Sequence, residues 1–182
     1  FDLMDAADFL KIEAKKKELL AVADFSAWPD IKLENLARLG VAIDQLIEEY
    51  DLQALAFRCW NELQLRYGVA PCVLMGILNE RGIAAACELD ITNAVMMRAM
   101  GLAADWPVVL LDVNNNYKDD MNKGIFFHCG PAPISMMEGK GVIEQHLMFK
   151  KSYGDGSGVG LNVGKLIRGD VTVGSFKTED GN

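Results

Sequence analysis

The chain has 182 residues, 51% of them hydrophobic and 24% charged, and a formal net charge of −8. That length suits one domain, or one and part of a second, with enough apolar residues for a real core. The acidic balance argues against a nucleic-acid surface and does not suggest membrane binding, and no apolar run is long enough to span a membrane.

Residues 3–23 read as a helix with a lysine run at 15–17 on a solvated face, ended by Trp28-Pro29-Asp30. From Leu33, apolar residues at 36, 39, 43, 46, 47 and 50 recur at three- and four-residue steps, the pattern of an amphipathic helix covering a sheet. Residues 54–60 form a short apolar strand, 61–67 a helix capped by Gly68, and Pro71 opens a helix that Gly82 ends. Then come a strand over 83–88, a helix over 91–100 stopped by Gly101, a strand over 108–113 and another over 126–129. This alternation predicts an α/β fold, a mainly parallel sheet flanked by helices with right-handed crossovers. After about residue 142 helical periodicity disappears. Residues 146–153, 159–163 and 171–177 read as strands joined by glycine-rich turns such as GDGSG at 154–158, the beginning of an antiparallel β-domain. The expected division is 1–141, a central α/β domain with the candidate carboxylates, and 142–182, a partial C-terminal β-domain.

Residues 1–8 are acidic, unlike a signal peptide. Cysteines at 59, 72, 87 and 129 show no CxxC or zinc-like spacing and read as reduced, buried thiols. Both features lead to the expectation of a cytoplasmic protein. The chain lacks an initiator Met and closes on TEDGN just after a strand-like run, so it is expected to be a piece of a longer polypeptide with an incomplete active site.

Glu88 and Asp112 each close an apolar run, in ACELD and LLDVN. Carboxylates at the ends of successive parallel strands fall where open α/β sheets bind ligands, and suit a divalent ion or acid/base work. Asp112, followed by Asn114-Asn115-Asn116, makes a polar rim or simply caps a loop. Glu88 follows small apolar residues and needs a partner, a proton or a cation; an ion pair with Arg58 is the plain alternative. His128, in FFHCGPAP, is a metal ligand, a sugar-binding group or a structural imidazole. Trp60, with Asn61 and Glu62, is a pocket wall or the first turn of the next helix. GDGSGVG is a hairpin turn and not a phosphate loop, since it lacks GK[ST] and a following helix.

In order, CELDITNAV (87–95), LLDVNN (110–115) and FFHCGPAP (126–133), with RCWNE (58–62) in support, resemble the L-fucose isomerase family, especially its shorter fucose-isomerase-like members. The resemblance covers most of 50–177. It implies a Mn²⁺-dependent aldose–ketose isomerase acting on a deoxy- or pentose-type sugar through an enediol. In that reading Glu88 and Asp112 hold the metal and act as acid and base. His128 is then a metal ligand, as the spacing in the related arabinose isomerases implies, or a substrate-binding residue beside Trp60. A homo-oligomer is expected, and the 182 residues alone are expected to be inactive. The rival reading is a non-catalytic sugar-binding or regulatory α/β module.

Overall fold

The computed structural model describes residues 1–179, with every side chain among them except those of Asn115 and Asn116. It is mixed α/β, with seven α-helices and three small sheets among the described residues. The broad class agrees with the sequence, but the single, mainly parallel sheet does not form.

The first predicted helix is two: α1 (Asp2–Asp5) and α2 (Phe9–Val22). Asp8 separates them, its carboxylate accepting the Lys11 N–H at 3.1 Å as the α2 cap. The strand β1 (Ala23–Asp24) leads to α3 (Asp30–Tyr50), the amphipathic helix read from sequence. Its Leu33, Leu36, Leu39, Ile43 and Ile47 are buried, while Leu46 and Tyr50 are exposed. The lysine run corrects the sequence reading, because Lys15 is only 8% exposed. Its ammonium lies between Glu18 at 2.5 Å and Asp44 at 2.6 Å, joining α2 to α3. Two carboxylates replace the water that the charge gives up.

The strands β2 (Ala54–Ala56) and β3 (Ala84–Ala86) pair in parallel, with Ala54 opposite Ala84. Both are shorter than predicted. Between them lie α4 (Glu62–Arg66) and α5 (Cys72–Glu80). Helix α6 (Ile91–Ala104) follows β3 and passes straight through Gly101, stopping at the left-handed Asp105. One interior glycine costs about 1 kcal/mol, which Leu102-Ala103-Ala104 readily offset as strong helix formers. The side chains of β3 alternate. Ala84 and Ala86 pack with Ala94 and Met97 of α6, whereas Ala85 and Cys87 join the main core with α3 and α5.

Of 108–113, predicted as the next parallel strand, residues 108–111 form no ladder. Val108 and Leu110 still pack against the Ala84–Ala86 face, so the apolar pattern marks burial and not strand pairing. Asp112 therefore begins a strand. β4 (Asp112–Tyr117) and β5 (Asp120–Phe127) form an antiparallel hairpin with Asp112 opposite Phe127. The chain continues through a 3₁₀ turn at Ile134–Met136, β6 (Gly141–Gln145), α7 (Leu147–Tyr153) and β7 (Val159–Val163). β6 is the middle strand of the third sheet, parallel to β1 and antiparallel to β7. Residues 147–153 are thus helical where a strand was read. LMFKKSY contains no β-branched residue, and His146 caps it by accepting the Met148 N–H at 3.2 Å. Residues 171–177 take no strand conformation, and 180–182, the end of TEDGN, lie outside the described residues.

One buried side chain fixes α5 against both β3 and the loop after β5. Asn79 is 2% exposed; its amide accepts the Ala85 N–H at 2.7 Å and donates to the Pro131 carbonyl at 2.9 Å. Gly76 lets that loop approach, since a Cβ there would stand 2.6 Å from the Ala132 carbonyl oxygen.

Candidate active site

The parallel pair ends at Ala56 and Ala86, and its carboxyl edge continues into two loops tied together by backbone. The Phe57 N–H donates to the Ala86 carbonyl at 2.8 Å, and the Leu89 N–H to the Phe57 carbonyl at 3.2 Å. Between these contacts the chain takes two consecutive left-handed residues, Glu88 at φ 59° and Leu89 at φ 61°. Left-handed backbone is costly for residues other than glycine, and such strain gathers at functional sites. It turns the Glu88 side chain out to solvent. Arg58 pairs with Glu62 at 3.4 Å, so the ion pair weighed for Glu88 is absent among the described residues.

Asp112 is exposed at the base of the β4–β5 hairpin. His128 leaves the same base on the opposite strand, one residue beyond Phe127, and is half-buried. Burial by itself would lower the His128 pKa. The hydrogen bond and charge of Cys129, together with the charges of Asp112 and Glu88, raise it instead. The fold thus brings Glu88 and Asp112 each within electrostatic reach of His128. It does not gather their donor atoms within 4.8 Å as a three-membered set. The side chains of Asn115 and Asn116, part of the polar rim read from sequence, lie outside the described residues.

What the sequence reading missed is the set of thiols behind this edge. All four cysteines converge. Cys87 Sγ lies 3.2 Å from Cys59 Sγ, Cys72 Sγ lies 3.5 Å from Cys129 Sγ, and Cys129 Sγ lies 3.2 Å from His128 Nδ1. Donor atoms of Cys87, His128 and Cys129 all fall within 4.8 Å of one another. Hydrogen bonds from Cys72 and Cys87, then from His128, hold the Cys129 thiol far below the ordinary thiol range. Hydrogen bonds to Cys129 and then Cys59 push Cys87 up, and Cys129 together with burial does the same to Cys72. These residues come from four places: the loops after β2, β3 and β5, and the first turn of α5. No local spacing could announce them. The one available signal is that three cysteines sit at the ends of apolar runs.

Trp60 is 38% exposed and packs edge-to-face on Phe149 of α7, with ring centres 6.2 Å apart. It precedes α4, whose first residue is Glu62, and Asn61 at φ 73° makes the bend. A cavity of about 320 Å³ opens at the other edge of the β2–β3 pair. Ala84, Met97, Arg98 and Trp106 line it, and neither candidate carboxylate does.

No family model matches the chain. Among curated proteins it is similar to the sulfoquinovose isomerase of Alkalicoccus urumqiensis, 27% identical over 126 residues, which is 69% of this chain and 28% of that protein. It is also similar to the sulfoquinovose isomerases of Priestia megaterium, 28% identical over 107 residues, and of a Clostridium species, 28% identical over 130 residues. These matches cover 59% and 68% of this chain, and 24% and 28% of the relatives. The chain therefore spans about a quarter of the length of the curated relatives it matches. The similarity points to sugar isomerases, without singling out L-fucose isomerase.

Proposed function

We propose that this chain forms part of an aldose–ketose isomerase of the fucose-isomerase-like group, with sulfoquinovose as the first sugar to test. The observation that carries this reading is its similarity to three proteins named sulfoquinovose isomerase, at 27–28% identity. The motif resemblance, read independently from residues 58–62, 87–95, 110–115 and 126–133, agrees with it.

The chemistry asks for two proton carriers on a planar enediol. Glu88 and Asp112 suit that task, because both are exposed carboxylates whose charges reach His128. In this reading one takes the proton from C2 of the open-chain sugar and the other governs the proton delivered at C1. The donor set also fits Mn²⁺, since carboxylate and imidazole are accepted ligands for such ions. Glu88 and Asp112 would hold the ion, with further donors from outside the described residues. A bound divalent ion would polarise the sugar carbonyl. We place His128 behind the carboxylates rather than on this ion, because its Nδ1 faces Cys129. Trp60 remains a candidate for the sugar-binding wall.

The test is an isomerase assay of the whole polypeptide with Mn²⁺ across sulfoquinovose, L-fucose and L-arabinose. Asp112→Ala and Glu88→Ala are expected to lower turnover by at least about a thousandfold while leaving circular dichroism unchanged. Product formed in D₂O is expected to carry solvent deuterium. Retained activity in Asp112→Ala would remove the carboxylate assignment. Sugar binding without turnover in the whole polypeptide would favour the rival binding module. The 182 residues alone are expected to show no turnover.

A further inference from the structure

We propose that Cys87, Cys129 and His128, with Cys59 as fourth donor, form a binding site for a thiophilic divalent ion of the zinc class, directly behind the candidate carboxylates. The proposal does not rest on the isomerase reading. It would stand if the chain carried no activity at all.

Cys59, Cys87 and Cys129 are separated by at least 28 residues along the chain, yet the fold sets Cys59 beside Cys87 and Cys87 near Cys129 and His128. Each is held by a different piece of rigid backbone. Cys59 follows β2, Cys87 follows β3, and Cys129 follows β5. The loops of Cys59 and Cys87 are joined by the Phe57–Ala86 and Leu89–Phe57 hydrogen bonds. The Cys129 loop is held by Asn79 through the Pro131 carbonyl. Donors mounted in this way are set in place before an ion arrives.

Distance is the second point. Zinc–sulfur bonds of about 2.3 Å and zinc–nitrogen bonds of about 2.0–2.1 Å put tetrahedral donors roughly 3.5–3.8 Å apart. Donor atoms of Cys87, His128 and Cys129 all lie within 4.8 Å of one another, and Cys59 Sγ lies outside that group but 3.2 Å from Cys87 Sγ. Small side-chain movements bring those three donors to tetrahedral spacing, and Cys59 turns from Cys87 toward the ion to complete the set. Three thiolates and an imidazole are a structural zinc ligand set, and thiolates select against Mn²⁺, which takes carboxylate and water oxygens.

Two disulfides, Cys59–Cys87 and Cys72–Cys129, would use the same sulfurs in pairs. That arrangement gives His128 no part. The imbalance favours a metal, because Cys87, Cys129 and the imidazole meet as a group. Cys72 then stands behind Cys129 as a thiol donating to its sulfur, 3.5 Å away. Such hydrogen bonds to ligand sulfur are the usual outer support of thiolate sites.

The experiment uses the 182-residue chain, purified with zinc and freed of loose metal by gel filtration. Elemental analysis is expected to find about one zinc per chain in the unsubstituted protein and in Glu88→Ala, and under a tenth of that in Cys87→Ser/Cys129→Ser. Exchange with Co²⁺ is expected to produce a thiolate-to-cobalt charge-transfer band and the visible bands of tetrahedral cobalt. The cobalt spectrum decides the matter on the unsubstituted protein should the double variant fail to fold. No charge-transfer band, or zinc lost with Glu88 but kept without Cys87 and Cys129, would overturn the proposal. So would fewer than four titratable thiols after unfolding with chelator, because the sulfurs would then be paired as disulfides. Manganese-dependent turnover is a separate measurement, so either reading can fail alone.

Discussion

Glu88 and Leu89 are two adjacent non-glycine residues in the left-handed region, and each such residue costs on the order of 1 kcal/mol or more. The strain belongs to the backbone, so it can be separated from the carboxylate. Leu89→Gly is expected to raise the urea midpoint by an amount worth about 1 kcal/mol, and Glu88→Gly to do the same while removing the acid. A lower midpoint in both would mean that the side chains hold the turn. Glu88 draws notice in the sequence, because an acid directly after Ala84-Ala85-Ala86-Cys87 stands out. The strain was not legible, since nothing in Glu-Leu asks for positive φ. Lys15 was illegible for the opposite reason: within Lys15-Lys16-Lys17 its burial depends on Asp44, a residue of another helix.

At the scale of elements, α5 is the part that positions the site. Asn79 joins it to β3 and to the loop carrying His128 and Cys129, and every polar atom of its amide is engaged. Asn79→Ala leaves the Ala85 N–H and the Pro131 carbonyl buried without that partner. The expected loss is about 2–4 kcal/mol in chemical denaturation. A loss under about 0.5 kcal/mol would show that the loop is held by other contacts. Helix α1 is pinned more lightly. Asp5 accepts the Tyr67 hydroxyl at 2.6 Å and pairs with Arg66 at 2.5 Å, and the Tyr67 hydrogen bond, ahead of the charge of Arg66, holds its pKa below the ordinary 3.8. A depressed carboxylate stabilises the fold above its ordinary pKa, and that contribution fades as pH falls through the depressed value. Asp5→Asn is therefore expected to flatten the stability profile below about pH 4, which thermal melts across that range would report. An unchanged profile would show that the contact does not bind α1. Helix α3 was read correctly because one face repeats through five turns. The segment 147–153 was misread because short apolar runs do not distinguish helix from strand by period alone.

For the whole molecule, the division into three small sheets among the described residues has a packing counterpart. Much apolar surface is exposed: Val113, Phe126 and Phe127 on the hairpin, Ile91, Val95 and Leu102 on α6, and Val171 and Val173 near the described end. Surface of that extent marks an interaction face. Sedimentation velocity of the 182-residue chain is expected to show concentration-dependent species heavier than the monomer; a single monomeric boundary at high concentration would contradict this. The apolar residues were plain in the sequence. Their lack of cover was not, because alternation such as Val171-Thr172-Val173 signals a strand only where a partner strand exists. The cysteines show the same limit at larger range: spacing rules find ligands that are neighbours in sequence, and these are neighbours only after folding.

The third sheet carries a consequence for the order of events as the chain is made. Its middle strand β6 sits between β1, 118 residues earlier by the Ala23–Gly141 register, and β7, which follows after one short helix. Helices α2 and α3 have their partners within reach as soon as they leave the ribosome. β1 has none until residue 141 emerges, and Trp28 waits as long for the Ile143 carbonyl that it meets at 2.8 Å. Closing so long a loop is slow relative to forming a helix pair. The helical layer should therefore assemble during synthesis with one edge bare, and the arrival of β6 is the step that seals it.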